Sequence, residues 1–267
     1  MIKQLWKSIH RWLIDHPLRP GDKIGHTYRV DELLGMGSYG MTYVVSIQGS
    51  HQKFVAKQLR KTKQKTMQGK QSFKQEVTIL QALHHPQIPT IHEWLEDKGN
   101  LFIIMEYVEG KTFEDLIFEE GKTYSEREAL HVLLQVIDVV DYIHQQGIVH
   151  RDLRIPNILL VKEEIVIIDF GLARFTDQKE DVSTLVDEQQ RMREIAFKSD
   201  IYTLGHFLLF LLYSSYEPIS QKEKSWEKEL LLSSPLTHII RKMLQHDQPY
   251  EELHELKEDV QHYLKNR

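Results

Sequence analysis

The chain contains no cysteine, which excludes disulfide bonds and thiolate metal sites. This absence fits a reducing cytosol, although many exported proteins lack cysteine too. The longest apolar run, residues 207–213, is far too short to span a bilayer, which needs about 20 residues. The first twenty residues lack the unbroken apolar core of a signal peptide. We therefore expect a soluble protein located in the cytoplasm.

An excess of basic residues is also absent. The formal net charge of −5 gives no basis for general nucleic-acid binding, so no nucleic-acid partner is expected. There is no internal repeat and no low-complexity tract. The 267 residues are 41% apolar and 27% charged, which is enough for a sizeable core in one large domain or two compact lobes.

Three polar side chains, Asp152, Asn157 and Asp169, stand among apolar residues. The apolar runs 158–161 and 165–168 predict a short buried hairpin. A hairpin brings its two ends together, so Asn157 and Asp169 should lie side by side, with Asp152 one loop earlier. One carboxylate could then act as a base, while the other carboxylate and the amide bind a divalent metal ion.

The first twenty residues predict an N-terminal extension built on an amphipathic helix that ends near Pro17. The stripe could pack on the body of the protein. Alternatively, residues 1–17 could contact a membrane surface or a partner, because two tryptophans beside a basic face suit that role. The apolar stripe consists of Ile2, Leu5, Trp6, Ile9, Trp12 and Leu13.

Residues 28–59 alternate short apolar segments with turns, which predicts a small antiparallel sheet. The glycines Gly35, Gly37 and Gly40 are followed by another strand-like segment rather than by a helix. That context disfavours a dinucleotide-binding βαβ unit. A glycine loop between two strands can instead place its backbone N–H groups over phosphates.

Lys57 lies in a largely apolar strand, and a buried lysine needs a partner. A helix predicted from about Ser72 to Leu83 places Glu76 one turn from Leu80, on the face that can meet the sheet. Glu76 is therefore the expected counter-ion of Lys57. The basic segment 60–74 is expected to be a solvated loop that leads into this helix, and the alternative is a contact with an anion or an acidic partner.

After two more predicted strands the pattern becomes mostly helical, so residues 106–111 are the candidate hinge between a β-rich and an α-rich lobe. Ser125 to Glu128 has the form of a capping box, and Gly147 is the expected C-cap of the helix it begins. The other predicted elements are strands near 91–95 and 101–107, a central helix near 200–213, and outer helices near 226–244 and after residue 251.

From about Tyr28 to its end, the chain resembles a protein kinase, and its compact build is similar to small serine/threonine-type kinases of bacteria. The resemblance implies a bilobal α+β fold with an antiparallel N-lobe at about 28–106 and a mainly helical C-lobe at about 111–267. It is carried by the loop Gly35/Gly37/Gly40, Lys57, Glu76, His150-Arg151-Asp152 with Asn157, Asp169-Phe170-Gly171, and the segment 200–205.

The resemblance also implies a role for each residue. Asp152 would orient the acceptor hydroxyl and take its proton, while Asn157 and Asp169 would bind Mg²⁺ (or Mn²⁺) on ATP. Lys57, fixed by Glu76, would hold the α and β phosphates. The implied nucleotide contacts are Leu34, Gly35, Gly37, Ser38, Gly40, Val55, Met105, Glu106, Val108 and Leu159, and the implied hydrophobic spine is Leu80, Ile91, His150 and Phe170.

Two departures from the family pattern concern the acceptor. Arg154 stands where serine/threonine kinases usually carry lysine, as it does in some tyrosine kinases, and its fork geometry differs from that of lysine. No Ala-Pro-Glu follows Gly171; the nearest candidate by spacing is the segment 186–188, and the segment 244–252 contains no arginine to pair with it. The joint loss of both partners predicts a rebuilt substrate platform.

Arg151 is expected to bind a negatively charged group of the segment after Gly171. A phosphate on Thr176, Ser183 or Thr184 could supply it, or the acids Asp177, Glu180 and Asp181 could do so instead.

The expected activity is ATP- and Mg²⁺-dependent transfer of the γ-phosphate to serine or threonine hydroxyls of proteins, including the chain itself. The alternatives are a small-molecule kinase of the same fold and a pseudokinase scaffold. The oligomeric state is left open.

Overall fold

The computed structural model describes residues 15–37, 40–47, 49–50, 52–179, 185–217 and 224–266. The chain divides into two compact units, Met1–Val108 and Glu109–Arg267. The predicted N-terminal helix lies outside the described residues, apart from the segment near Pro17.

The first unit contains a six-stranded antiparallel sheet with the strand order β1-β2-β3-β4-β6-β5. Alternating apolar side chains on these strands form its core, in which Tyr43, Phe102 and Ile104 are almost fully buried. The strands are β1 (Lys23–Ile24), β2 (Tyr28–Met36), β3 (Gly40–Ile47), β4 (Lys53–Leu59), β5 (Ile91–Asp97) and β6 (Asn100–Glu106).

Two helices follow β4, namely α1 (Lys61–Gln64) and α2 (Met67–Ala82). The prediction was wrong about where α2 begins, and the basic segment before residue 72 is largely helical rather than a loop. The Thr66 hydroxyl caps α2 by accepting a hydrogen bond from the Gly69 N–H at 3.0 Å. The sequence signal was weak because this first turn carries lysine and glutamine instead of a continued apolar stripe.

The second unit contains two small sheets. The predicted hairpin is present, since β9 (Ile158–Val161) pairs with β10 (Glu164–Ile167). The other strands are β7 (Lys111–Thr112), which pairs with β9, and β8 (Ile148–Val149), which pairs with β11 (Arg174–Phe175).

Helices form most of the second unit. The predicted capping box is present at Ser125, whose N–H donates to the Glu128 carboxylate at 2.8 Å, and Gly147 follows the same helix with a φ of 68°. The helices are α3 (Phe113–Phe118), α4 (Glu126–Gln145), α5 (Asp187–Arg193), α6 (Phe197–Tyr213), α7 (Trp226–Glu229), α8 (Ser234–Met243) and α9 (Leu253–Lys265).

The central helix α6 is buried along most of its length, which explains its nearly continuous apolar sequence. Among the described residues, no single helix is long and apolar enough to cross a membrane. The pair α5 and α6 reaches that length and composition only together, and it bends by 116° at the break between the two helices.

Candidate active site

In the first unit, Lys57 and Glu76 form an ion pair. The Lys57 Nζ lies 2.6 Å from the Glu76 Oε1, and the two side chains are only 16% and 9% exposed. Strand β4 positions the lysine opposite Ile103 of β6, while Glu76 and Leu80 lie on the buried face of α2. A buried cation is therefore held at a defined position by a charge-assisted hydrogen bond.

The glycine-rich segment forms a turn between two paired strands. Gly35 is near the end of β2 and pairs with Thr42, while the Gly37 N–H donates to the Gly40 carbonyl at 3.0 Å. A Cβ on Gly40 would lie 2.5 Å from the Gln58 carbonyl oxygen, so only glycine permits this close approach to β4. Ser38 lies outside the described residues.

The other residues expected to contact the nucleotide are distributed over both units. Val55 and Met105 pair across β4 and β6, and Leu34 is 49% exposed on β2. The Glu106 N–H donates to the Thr90 carbonyl at 2.9 Å, so this N–H is already used within the unit.

Two further residues expected to contact the nucleotide lie at or beyond the boundary between the units. Val108 is the last residue of the first unit, whereas Leu159 is a buried residue of β9 in the second.

In the second unit, the Asp152 carboxylate is held by two neighbours. Arg154 donates to both of its oxygens, from Nε at 2.7 Å and from an Nη at 3.2 Å, and the Asn157 amide donates at 2.9 Å. The hydrogen bond to Asp152 raises the pKa of the Arg154 guanidinium. Asp152 is 8% exposed, so these contacts determine the orientation of a mostly buried carboxylate.

Asn157 has a second hydrogen bond, from its amide nitrogen to the Asp152 backbone carbonyl at 2.9 Å. Both amide hydrogens therefore point toward Asp152, which leaves the amide oxygen as the atom that can bind a cation. The backbone N–H of Ile168 donates to the Asn157 carbonyl at 2.9 Å, so the two ends of the predicted hairpin meet, and Asp169 follows directly along the chain.

Asp169 and Arg151 have unusual backbone conformations, with φ values of 63° and 67°. Such left-handed conformations are uncommon for residues other than glycine and cluster at functional sites. The Gly171 N–H donates to the Asp169 carboxylate at 3.1 Å, and the Asp169 side chain is exposed.

Asn157 and Asp169 carry oxygen atoms that could bind a divalent metal ion. Magnesium is commonly bound through one or two protein oxygens together with substrate phosphates and waters. No group of three or more histidine, aspartate or glutamate side chains that could hold a metal occurs among the described residues, so a preformed all-protein cage is not found there.

Asp200 anchors the backbone of the loop that carries Asp152. Its fully buried carboxylate accepts hydrogen bonds from the N–H groups of His150 at 2.8 Å and Arg151 at 2.7 Å, and it contacts His144 Nε2 at 2.9 Å. Burial alone would raise the pKa of Asp200, but the hydrogen bonds and the nearby histidines lower it below its usual value. The sequence predicted that Asp200 lies at the start of a helix but did not predict its anchoring role. The one indication of that role was an acidic residue within an otherwise apolar helix.

His150 connects this loop to the segment after the hairpin. Its ring meets the Phe170 ring edge-on with 4.7 Å between centroids, and its Nδ1 accepts a hydrogen bond from the Asp152 N–H at 3.3 Å. Complete burial lowers the pKa of His150, which favours the neutral imidazole. Of the other residues expected in the spine, Leu80 is buried and Ile91 is half-buried within the first unit.

The segment after Gly171 is described only in part. Thr176 and Asp177 are exposed, and the Thr176 N–H donates to the Gly147 carbonyl at 2.8 Å. Arg151 is almost fully buried. Among the residues expected to face it, Glu180, Asp181, Ser183 and Thr184 lie outside the described residues.

The region without Ala-Pro-Glu forms the short exposed helix α5, which includes Glu188. Late in the chain, Arg241 precedes the arginine-free segment. It donates to Asp247 at 2.9 Å from two nitrogens and also contacts Glu227. This part of the second unit therefore has a network of its own, centred on Arg241.

Comparison with known proteins identifies the class. Residues 28–266 match the sequence model of the protein kinase domain, so the chain belongs to the protein kinase family and the predicted fold is confirmed. Members of this family transfer phosphate from ATP to proteins with the help of a divalent metal ion.

The relatives include bacterial and animal proteins. The probable serine/threonine-protein kinase YbdM of Bacillus subtilis (strain 168) is 34% identical over 255 residues, which are 95% of this chain and 96% of that protein. Human NUAK family SNF1-like kinase 1 is 39% identical over 149 residues, which are 55% of this chain and only 22% of that protein.

Among solved structures, the kinase domain of Mycobacterium tuberculosis PknI matches with a TM-score of 0.71 and 21% identity. The match covers 92% of this chain and 99% of that domain. At this level of identity the likeness shows the fold alone.

Proposed function

We propose that the protein transfers the γ-phosphate of ATP to serine and threonine hydroxyls of proteins, including its own. The observation that carries this proposal is the Asp152 carboxylate, which Arg154 and Asn157 hold in one orientation. The likeness to YbdM over nearly the whole length of both chains supports serine and threonine as acceptors.

Each unit contributes a separate part of the chemistry. In the second unit, Asp152 orients the acceptor hydroxyl and accepts its proton. Arg154 lies beside that carboxylate and brings a positive charge to the place where the phosphoryl group arrives. In the first unit, Lys57 is held by Glu76 and binds phosphate oxygens, while the turn from Gly35 to Gly40 offers backbone N–H groups.

The metal ion is proposed to be Mg²⁺ or Mn²⁺, bound by Asn157 and Asp169. When bound, it would neutralise negative charge on the ATP phosphates. The amide oxygen of Asn157 is oriented for this task because the amide nitrogen is engaged by Asp152.

A direct test incubates the full chain with labelled ATP, Mg²⁺ or Mn²⁺ and myelin basic protein, and then locates the phosphorylated residues by mass spectrometry. We expect phosphoserine and phosphothreonine, and we expect Asp152→Asn to lower kcat by about 10²- to 10⁴-fold, the usual contribution of a general base. Asp141→Asn is the matched control, since Asp141 is exposed on α4 and bonds only to the Gln145 side chain in the described contacts.

Several outcomes would contradict the proposal. Equal labelling by wild type and Asp152→Asn would remove Asp152 from its role. Phosphotyrosine alone would contradict the acceptor type. Rapid transfer to small metabolites without transfer to any protein would favour a small-molecule kinase, and nucleotide binding without any transfer would indicate a pseudokinase.

We further propose a cytoplasmic location, where ATP is available, with residues 1–14 contacting an anionic membrane surface. The support is the two tryptophans and the interleaved basic residues of that segment. Sedimentation with phosphatidylglycerol vesicles should carry the full chain down, and deletion of residues 1–14 should abolish this. Equal sedimentation of both forms would contradict membrane contact, and a loss of thermal stability in the deletion would then favour packing on the kinase.

A further inference from the structure

Asp15 is a buried carboxylate that the reaction does not use. Its side chain is fully buried in the first unit, although it precedes the first strand of the sheet. It accepts hydrogen bonds from the Thr62 hydroxyl at 2.8 Å and from the Thr62 N–H at 3.3 Å. A buried charge persists only where partners compensate for its lost hydration, so this contact holds the chain at residue 15 against the start of α1.

Arg60 is the cation that faces Asp15. Its Nη1 lies 3.6 Å from the Asp15 carboxylate, and its Nε donates to the Gly37 carbonyl at 2.8 Å. The side chain is only 13% exposed. The planar guanidinium presents several donors in a fixed arrangement, so one group connects the N-terminal segment with the glycine-rich turn.

A second contact joins the same segment to the strand that follows the turn. The Leu18 N–H donates to the Tyr43 hydroxyl at 3.1 Å, and that hydroxyl donates to the Gln58 side chain at 2.9 Å. The backbone of Gln58 is the surface against which Gly40 packs. The N-terminal segment is therefore linked to Gly37 through Arg60, and to Gln58, whose backbone faces Gly40, through Tyr43.

We propose that Arg60 is a positioning residue for the glycine-rich turn and that Asp15 orients Arg60, so that the N-terminal segment sets the affinity for ATP. A carbonyl held by a guanidinium restricts rotation of the peptide unit that follows Gly37. When Gly37 is held in this way, its backbone loses less conformational entropy as the glycine-rich segment binds phosphates. The inference rests on the proposed function, because it requires that the glycine-rich turn binds ATP.

The test measures the Kd for ATP by calorimetry and the KM and kcat of phosphoryl transfer. Arg60→Met should raise the Kd and the KM for ATP about fivefold, equivalent to about 1 kcal/mol, with kcat changed less than twofold. Asp15→Asn should raise them about twofold, since it weakens the hold on the guanidinium while Arg60 still reaches Gly37. The double variant should match Arg60→Met alone, because Asp15 acts through Arg60.

Two controls separate positioning from general stability. Arg29→Met removes an arginine of the same sheet that is 59% exposed and lies 3.9 Å from Asp31; its Kd for ATP should equal that of the wild type. Thr62→Val removes one hydrogen bond to Asp15, so it offers a milder variant should Asp15→Asn fold poorly. Its Kd should shift in the same direction as that of Asp15→Asn.

The outcomes are distinguishable from those of the proposed function. An unchanged Kd for ATP in Arg60→Met, together with a lower melting temperature, would make the contact purely structural and overturn the inference. Additive effects of Asp15→Asn and Arg60→Met on the Kd for ATP would show that Asp15 does not act through Arg60. If the wild type binds ATP but phosphorylates no protein, the proposed function fails while the binding comparison still decides the inference. A wild type that binds no ATP overturns both.

Discussion

The Lys57 ammonium and the Glu76 carboxylate lie 2.6 Å apart in the first unit, and both side chains are largely buried. Because the lysine belongs to a strand and the glutamate to a helix, the ion pair forms only when α2 is correctly placed against the sheet. In a protein kinase it also determines where the cation that serves ATP is located.

Replacing Glu76 with glutamine should lower kcat/KM for ATP about tenfold, because a hydrogen bond to a charged group contributes about 1.5–3 kcal/mol and only part of it survives. Steady-state kinetics with varied ATP would measure this effect. Glu93→Gln is the control, since Glu93 accepts a hydrogen bond from Tyr28 at 2.6 Å on the same sheet without touching Lys57. Equal losses in both variants would show that sheet stability, not Lys57, is responsible.

Replacing Arg154 with lysine tests the pair of hydrogen bonds that the guanidinium donates to the Asp152 carboxylate. Lysine cannot donate to both carboxylate oxygens in the arginine geometry, so we expect kcat to fall several-fold while the melting temperature stays nearly constant. The stability effect is small because the Arg154 side chain is 55% exposed, and exposed pairs contribute about 0.2–1 kcal/mol. Arg127→Lys, on the exposed face of α4, should leave kcat unchanged. A full kcat in Arg154→Lys would contradict a geometric role.

Replacing Asp200 with asparagine should reduce the free energy of unfolding by about 3 kcal/mol, because the new amide would present a donor toward backbone N–H groups in a buried site. Urea denaturation would measure the loss. We also expect a lower kcat, since His150 and Arg151 lose their backbone anchor. A variant as stable as Asp141→Asn would contradict the anchoring role.

The stability should depend on pH through buried groups with shifted pKa values, among them His150 and Asp200. The pKa of His150 is lowered by burial, so its proton binds more readily to the unfolded chain, and the free energy of unfolding should fall as the pH drops below about 6.5. The pKa of Asp200 is lowered too, despite burial, by hydrogen bonds and nearby histidines. This adds a second loss of stability below about pH 4.

Urea denaturation from pH 8 to pH 5 would test the first of these effects. In His150→Phe the free energy of unfolding should fall less steeply as the pH decreases. Part of the fall should remain, because burial also lowers the pKa of His206. The control His254→Gln changes an exposed histidine of α9 and should leave the profile unchanged. An identical slope in His150→Phe and wild type would contradict the assignment.

Local features of the fold were predictable. The hairpin at residues 158–167 follows from two apolar runs with a polar turn, and the helix after Ser125 follows from its capping box. The start of α2 was missed because the cap at Thr66 lies in a lysine-rich stretch without an apolar stripe. Hydrophobic periodicity reflects which face of a helix is buried, so it does not identify a first turn that is exposed.

The polar contacts between distant parts of the chain were harder to predict. The pair of Asp15 and Arg60 and the bonds that Asp200 receives join residues far apart in sequence. Neither has a spacing rule, because such contacts form only when separate elements pack and exclude water. For Asp200 the only signal was a single acid in an apolar helix, and nothing in the residue pattern distinguished Asp15 from an exposed carboxylate.

The types and spacing of Lys57, Glu76, Asp152, Asn157 and Asp169 were sufficient to predict the chemistry, because they are read directly from the residues. Which charges are buried, and which groups orient them, became visible only in the folded chain: Arg154 contacts Asp152, Asp200 bonds to the loop that carries Asp152, and Arg60 lies between Asp15 and Gly37. The physical reason is that the cost of burying a charge, and the partner that offsets it, depend on packing across the whole fold.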